Sequence, residues 1–410
     1  MNNIINELKK NNIVDKKISI AIMSSFLVLT LQYLILVVFS LIGTPTGNKV
    51  QLISKVIVGL LYLRALPGVL KRSKIKFIVI YFLAILIFLI NYLLFPENHI
   101  YLNSLIFPLF FTCLPSLIYA HSMEDWQVLM NVMKQAAKWV FLIGVAIAIL
   151  IISGFASTGS SYSMSLSYYM LLPAIIYLND IIDRKKIKSG LIFIVSLLII
   201  LSLGARGPVM CVGVFVILKF ISTLKDISYT KAILYILLLM IAMVGIIFLD
   251  KILLYLYEFL LSKGINSRSL RLFLRDGIYM SGRDAIYSEM IKEIFNKPFL
   301  GLGLASDRRI LSGRNAYVHN IFIEVIMNFG IIIGALLSLF LLYLLVKNIL
   351  IKDEQIYTLM IIWISIGFIH LLISSSYLND FKFWIYLGLS LNSLKDSKIN
   401  FTIDRKEEYQ

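Results

Sequence analysis

Charge is scarce in this chain, because only 15% of its 410 residues are Asp, Glu, Lys or Arg whereas 59% are hydrophobic. A soluble globular chain carries about 25% charged residues, so this composition excludes an ordinary soluble domain. Uncharged apolar runs of about 18 residues or more recur along the sequence, which predicts membrane-spanning helices. A β-barrel would show alternating segments of about ten residues instead. We therefore expect an all-α polytopic membrane protein.

Cysteine and histidine are also rare, which limits the disulfide bonds and metal sites that the chain can form. Cys113 and Cys211 are the two cysteines, and both lie in apolar runs. We interpret them as small hydrophobic side chains and expect neither a disulfide framework nor a metal site. The sequence has no phosphate-binding glycine loop and no Cys/His spacing typical of a metal site. No metal and no cofactor is expected.

The apolar runs predict about twelve membrane spans, with bounds that are approximate to several residues. The spans are 18–42, 50–70, 76–95, 100–120, 137–154, 164–181, 189–204, 207–224, 231–249, 319–346, 356–375 and 381–394. Lysines cluster in alternate connections and at both termini, so the positive-inside rule places both termini in the cytoplasm. The same rule accounts for most of the formal net charge of +16. A nucleic-acid partner is not expected.

One connection breaks this pattern and divides the chain. We assign 1–249 to spans one to nine, 250–318 to a large loop, 319–394 to spans ten to twelve and 395–410 to a cytoplasmic tail. The span count places the loop outside the cytoplasm. Its sequence predicts an amphipathic segment at 251–263, which we expect to lie on the membrane surface.

The loop is rich in arginine. It holds seven of the twelve arginines of the chain, namely Arg268, Arg271, Arg275, Arg283, Arg308, Arg309 and Arg314. A guanidinium group binds phosphate through paired N–H groups and stays charged when partly buried. A second helix is predicted at about 284–296, with Ile286, Met290, Ile294 and Phe295 as its apolar stripe. The loop therefore predicts a site for a phosphate-bearing lipid.

His319 opens the next apolar run directly after the loop, and Gly330 follows eleven positions later. A neutral imidazole at this interface can accept a proton from a hydroxyl group. His99 also lies outside and is the rival candidate. His121 is predicted on the cytoplasmic side, and His370 is predicted deep in a span.

Arg206 lies in a tight turn between two predicted spans, flanked by Gly204, Gly207 and Pro208. An ionisable residue at such a place is either functional or extends to the interface. The sequence leaves both readings open.

Several motifs occur in a fixed order along the chain. They are the Arg206 turn, Gly282-Arg283-Asp284 before a helix, Asn296-Lys297-Pro298-Phe299-Leu300-Gly301-Leu302-Gly303, and His319-Asn320 followed by Gly330. Together they resemble the C-terminal region of the O-antigen ligase and Wzy-type polysaccharide polymerase superfamily. Met210 stands where the family's Arg-x3-Leu element has leucine, and Tyr287 stands where the family has tryptophan.

The resemblance implies a metal-independent glycosyltransferase of the GT-C type in a bacterial cytoplasmic (inner) membrane. Its site would face the outside, its donor would be an oligosaccharide on undecaprenyl pyrophosphate, and its acceptor would be a hydroxyl group. By the same resemblance, His319, Arg283 and Arg206 would be catalytic. Further contacts to pyrophosphate or glycan would come from Arg271, Arg275, Arg308, Arg314 and Asn320.

Three functions remain in competition on the sequence. We expect a polymerase that extends a lipid-linked O-antigen or capsule glycan. The alternative with the same chemistry is a ligase that passes the glycan to lipid A-core. The alternative from another class is a flippase for the same lipid, although flippases usually carry a two-fold repeat and none is visible here. Expected partners are the bilayer, and a flippase and a chain-length regulator of the same pathway.

Overall fold

The computed structural model describes residues 2–152, 164–184, 186–202, 206–223, 249–262, 264, 274, 283–311 and 317–407. Every regular element within these ranges is helical. Six of the described helices are long and apolar enough to cross a membrane. They are Asn11–Val38, Pro45–Leu94, Pro96–His121, Trp126–Leu150, Ile321–Ile349 and Glu354–Ile373. The protein is thus a helical membrane protein, as its composition predicts.

Within the described residues the chain forms fifteen α-helices. The first part of the chain contains α1 Asn2–Val38, α2 Pro45–Leu94, α3 His99–Pro108, α4 Leu114–His121, α5 Trp126–Ile152, α6 Met164–Arg184, α7 Ile187–Ser202 and α8 Arg206–Thr223. A 3-10 turn at Pro96–Asn98 precedes α3, and a π-helical turn at Leu109–Cys113 joins α3 to α4.

The later part of the chain carries both loop helices and spanning helices. It contains α9 Leu249–Ser262, α10 Arg283–Asn296, α11 Ser306–Ile310, α12 Ile321–Ile349, α13 Glu354–Trp363, α14 Ile369–Ile373 and α15 Phe381–Glu407. A π-helical turn at Ile364–Phe368 joins α13 to α14. The described part of the amphipathic segment predicted at 251–263 is helical and belongs to α9, which ends at Ser262.

Helix α2 is bent sharply at Ser73, whose φ and ψ of −140° and 32° are not helical. The hydroxyl of Tyr62, before the bend, lies 2.8 Å from Ser116 Oγ. The hydroxyl of Tyr81, after the bend, donates to Phe110 O over 2.8 Å. A straight helix would separate the two tyrosines by about 28 Å, but their partners lie only about 9 Å apart along one helical segment. The chain therefore turns back at Ser73.

This bend bears on the predicted number of spans. The 50 residues of α2 have a contour length of about 75 Å, more than twice the roughly 30 Å of a bilayer core. The predicted spans 50–70 and 76–95 form its two arms. The predicted span 231–249 lies almost wholly outside the described residues, of which only 249 is included. The count of twelve stays a prediction.

The chain forms two compact units. The first comprises Met1–Ile22, Tyr62–Leu129 and Met280–Gln410, and the second comprises Met23–Leu61 and Met130–Tyr279. In the first unit α15 packs against α4 so closely that a Cβ on Gly388 would meet the backbone of Leu117. In the second unit α6 packs against α7 and α8, and Lys219 of α8 lies 2.9 Å from Asp183 of α6.

Candidate functional site

Helix α10 is held on the first unit by an apolar stripe. Ile286, Met290 and Ile294 of α10 are buried in a cluster completed by Leu302, Leu311, Val318 and Met327. The spacing of these three side chains is the helical repeat that predicts α10 from the sequence. Phe295, expected in the same stripe, is instead 69% exposed, because it lies about 100° around the helix from Ile294. The buried stripe therefore anchors α10, whose first residue is Arg283.

The glycines of the predicted motif pack against one another. Gly330 interrupts α12 with φ 79° and ψ 171°, and a Cβ on it would lie 2.7 Å from the carbonyl carbon of Phe299. Gly301 has φ 67°, and a Cβ on it would lie 2.8 Å from Met327 O. Only glycine combines positive φ with such an approach of two backbones. The His319 to Gly330 spacing thus reflects a break in α12 that receives the segment 298–302.

Backbone hydrogen bonds close this contact. Leu302 N donates to Met327 O over 2.8 Å, and Ile331 N donates to Pro298 O over 2.7 Å. Both bonds engage groups that the break at Gly330 leaves without helical partners. The segment 298–302 is therefore anchored to α12 by backbone hydrogen bonds at the break.

Two asparagines tie the same segment to the turn before α3. Leu304 N donates to Asn91 Oδ1 over 2.8 Å, and Asn98 Nδ2 donates to Leu302 O over 2.9 Å. Arg309 Nε in turn donates to Asn98 Oδ1 over 2.8 Å. Arg309 is thus engaged in holding the turn at Pro96–Asn98.

His319 occupies a strained backbone position with φ 61°. This left-handed region is uncommon for residues other than glycine, and residues held in it cluster at functional sites. The ring meets Tyr317 edge to face with centroids 4.4 Å apart. Its Nδ1 atom is buried and has no hydrogen-bond partner among the described residues.

The surroundings of His319 keep its ring neutral. Burial, the charge of Arg283 and the neighbouring His370 lower its pKa from 6.5 to about 4. Each cause disfavours a second positive charge at this place. Arg283 and His319, two of the three residues proposed from the motifs as catalytic, therefore lie close enough for the charge of Arg283 to lower the pKa of His319.

Asn320 caps α12. Its Oδ1 accepts from Phe322 N over 3.0 Å and from Ile323 N over 3.3 Å. This is the usual role of asparagine at a helix N-terminus. That Asn320 contacts substrate stays a prediction. Because Oδ1 caps the helix, such a contact would use Nδ2.

Arg308 belongs to a buried polar network. Its guanidinium lies 3.5 Å from Asp307 Oδ1 and donates to Ser376 Oγ over 3.0 Å. Ser376 donates to Glu324 Oε1, and Tyr377 N donates to Glu324 Oε2 over 3.3 Å. Asp307 and Glu324 are both fully buried. Arg308 was expected to contact substrate, but in this structure its guanidinium serves internal partners.

A second buried cluster joins α14 to the start of α15. His370 Nδ1 lies 2.9 Å from Asp380 Oδ2 and 2.8 Å from Lys382 Nζ. Burial raises the pKa of Asp380, but Lys382 and His370 outweigh it, so this pKa lies below the usual range. His370, set aside from the sequence as deep in a span, is close enough to His319 to affect its pKa.

The remaining predicted residues are placed as follows. Arg206 is the first residue of α8, but its side chain lies outside the described residues. Arg271, Arg275 and Arg314 also lie outside the described residues. The rival His99 is stacked on Tyr92 with ring centroids 3.7 Å apart, and its Nε2 lies 2.6 Å from Tyr92 O.

Sequence reasoning missed the acidic members of the site. Asp307 is adjacent to Arg308 and reads as its surface partner, although it is 0% exposed. Glu324 did carry a signal, because it is an acidic residue inside an apolar run and such residues are usually functional.

No model of a known protein family matches the sequence, and no curated protein matches it.

Proposed function

We propose that this protein is a Wzy-type polymerase of an O-antigen or capsular polysaccharide. It acts at the outer face of a bacterial cytoplasmic membrane. Its substrates are two lipid-linked glycans, one of which loses undecaprenyl pyrophosphate while the other is extended.

The nearness of Arg283 to His319 supports this proposal most directly. His319 precedes an apolar helix, and the charge of Arg283 is close enough to contribute to the lowered pKa of its imidazole. Such a pair suits a reaction in which one group loses a proton and another gains negative charge.

The proposed reaction forms one glycosidic bond and breaks one bond to pyrophosphate. The acceptor hydroxyl oxygen forms a bond to the anomeric carbon of the donor glycan, and the bond from that carbon to the pyrophosphate oxygen breaks. The leaving pyrophosphate takes the electron pair, and Arg283 stabilises its added charge. His319 takes the hydroxyl proton. The catalytic role of Arg206 stays a prediction from the resemblance.

Substrate binding itself would make His319 a stronger base. With a pKa of about 4 the free ring is available to accept a proton but binds it weakly. A bound pyrophosphate would offset the charge of Arg283, and its own charge favours the imidazolium form, so the pKa of His319 rises in the complex. A base with a pKa near the working pH is the more effective catalyst.

A deletion strain tests the proposal. Without a polymerase, single repeat units reach the cell surface, and a gel shows one short band in place of a ladder. The wild-type gene, supplied in trans, should restore the ladder, and His319→Ala and Arg283→Ala should not. Membrane levels of each variant are measured in parallel.

Other outcomes would point to the competing functions. Loss of all surface glycan on deletion would indicate a flippase. Accumulation of full-length lipid-linked chains that never reach lipid A-core would indicate a ligase. Normal ladders from both variants would contradict the catalytic assignment.

A further inference from the structure

The orientation of His319 comes from its main chain. Its Nδ1 atom is buried without a hydrogen-bond partner, so no carboxylate of the described residues orients the ring through Nδ1 in the way common for catalytic histidines. The backbone on each side is held instead. Val318 N donates to Asp307 Oδ2 over 3.2 Å, and Asn320 caps α12.

Of these two interactions, the hydrogen bond from Val318 N to Asp307 is the more unusual. Asp307 lies on α11, eleven residues before Val318, and is 0% exposed. A buried carboxylate is costly unless it is paired and hydrogen-bonded. Its Oδ1 faces Arg308 at 3.5 Å, while its Oδ2 accepts from the peptide that precedes His319.

The network then extends to a third segment. Arg308 donates to Ser376 Oγ over 3.0 Å, and Ser376 donates to Glu324, which lies one turn into α12. The chain of bonds starts at the peptide before His319 and returns to the helix after it. The network therefore contacts the chain on both sides of His319, at Val318 and at Glu324.

The backbone of all three segments is unusual beside this network. Ala305, His319 and Ser375 have φ of 63°, 61° and 77°. A non-glycine residue in this region persists only where the surroundings enforce it. The network supplies such surroundings, since Asp307, Val318 and Ser376 lie within two residues of these positions.

We propose that Asp307 is the positioning residue of His319, and that Arg308, Ser376 and Glu324 act through it by fixing its carboxylate. This rests on the proposed function, in which His319 is the proton acceptor. Two buried carboxylates and one guanidinium are a weak source of stability, because their desolvation offsets their attraction. Their use is to hold the His319 peptide in the left-handed conformation that aims its ring.

Substitutions of Asp307 test this role by kinetics. The assay measures chain extension in membranes with lipid-linked single repeat units extracted from the deletion strain. Asp307→Ala removes the acceptor for Val318 N–H and should lower kcat about 100-fold, because misplacement by about 1 Å has an effect of that size. The KM for the lipid-linked unit should change less than about threefold, since Asp307 does not contact substrate.

The conservative variant should restore part of the rate. Asp307→Asn keeps an oxygen for Val318 N–H but loses the charge facing Arg308, so we expect kcat within about tenfold of wild type. Glu293→Gln is the matched control, as it removes a carboxylate of α10 outside the network and should leave kcat unchanged. If Asp307→Ala does not accumulate in the membrane, Ser376→Ala takes its place and should lower kcat about tenfold. Full kcat in every variant that folds would overturn the proposal.

A chemical probe separates this proposal from the proposed function. Diethyl pyrocarbonate modifies neutral imidazole, and mass spectrometry locates the label on His319. In the wild type the labelling rate should stay constant from about pH 5.5 to 7.5, and in Asp307→Ala it should fall below about pH 6.5 as a released ring regains an ordinary pKa. This result would uphold the positioning role even if glycan transfer failed as the function. Identical labelling profiles in the two proteins would refute it.

Discussion

Gly301 and Gly330 bring two backbones into direct contact, since a Cβ on Gly330 would lie only 3.0 Å from Gly301 N. Both glycines have positive φ, so an added Cβ meets strain as well as overlap. Because α12 and the segment 298–302 share two hydrogen bonds here, neither backbone can move away alone. The contact keeps α10, and with it Arg283, against α12.

Alanine at either glycine should therefore destabilise the protein. We expect Gly330→Ala to lower the free energy of unfolding by at least about 1–3 kcal/mol, because φ 79° with ψ 171° is a conformation that essentially only glycine adopts. The thermal midpoint of the detergent-extracted protein checks this. Gly59→Ala is the control, because Gly59 lies within α2 and a Cβ there meets nothing within 4 Å. Equal midpoints for Gly330→Ala and Gly59→Ala would show that the contact does not hold the site.

The site illustrates what a sequence can and cannot predict. The helical repeat of Ile286, Met290 and Ile294 predicts α10, because burial of one helix face leaves a periodic trace in the sequence. The order of the motifs along the chain predicts that Arg283 and His319 act in the same site. Neither pattern indicates that Gly330 breaks a span, since an isolated glycine in an apolar run is usually helical.

Networks between distant segments were beyond sequence reasoning. Asp307, Ser376 and Glu324 come from three separate segments, and no periodicity links them. The sequence likewise placed Arg308 among the substrate contacts, because a guanidinium in an arginine-rich loop has the same residue type whether it faces substrate or a buried carboxylate. Only three-dimensional contacts separate these cases.

The low pKa of His319 predicts how the reaction depends on pH. The Tyr317 ring contacts this imidazole, and burial together with the charges of Arg283 and His370 lowers its pKa to about 4. Above this value the ring is neutral and can accept a proton, whereas below it the ring is protonated and the rate falls. The profile of kcat/KM should therefore be flat down to about pH 4.

The profile of kcat should differ from that of kcat/KM. It reports the enzyme with donor bound, in which the pyrophosphate raises the pKa of His319, so its acidic limb should lie at higher pH. Initial rates of chain extension at saturating and at low donor concentration give the two profiles. A limb at the same pH in both would contradict a pyrophosphate site beside His319.

Loss of the Arg283 charge should have two linked effects. Arg283→Ala should lower kcat about 100-fold, the usual effect of removing one group that stabilises charge in a transition state. It should also raise the pKa of His319, because Arg283 lowers that pKa, and so shift the acidic limb of kcat/KM upward. Lys292→Ala, an exposed cation on α10, should change neither quantity. A shifted limb with an unchanged kcat would remove Arg283 from the leaving-group role.

The ion pair between Arg72, beside the bend of α2, and Asp15 of α1 should contribute to stability without affecting the reaction. Arg72 contacts both carboxylate oxygens of Asp15, at 2.6 and 3.1 Å, and Asp15 is 1% exposed. Asp15→Ala leaves a mostly buried guanidinium with a single partner carboxylate, Glu124, and should destabilise the protein by about 3 kcal/mol.

Glu124→Gln is the control, because Glu124 also pairs with Arg72 at 3.0 Å but is 54% exposed. Its loss should therefore cost no more than about 1 kcal/mol. Thermal midpoints of the two variants should therefore separate clearly, while kcat of the Asp15→Ala protein that remains folded should equal that of the wild type. A large drop in that kcat would mean that the α1–α2 contact is coupled to the site around His319.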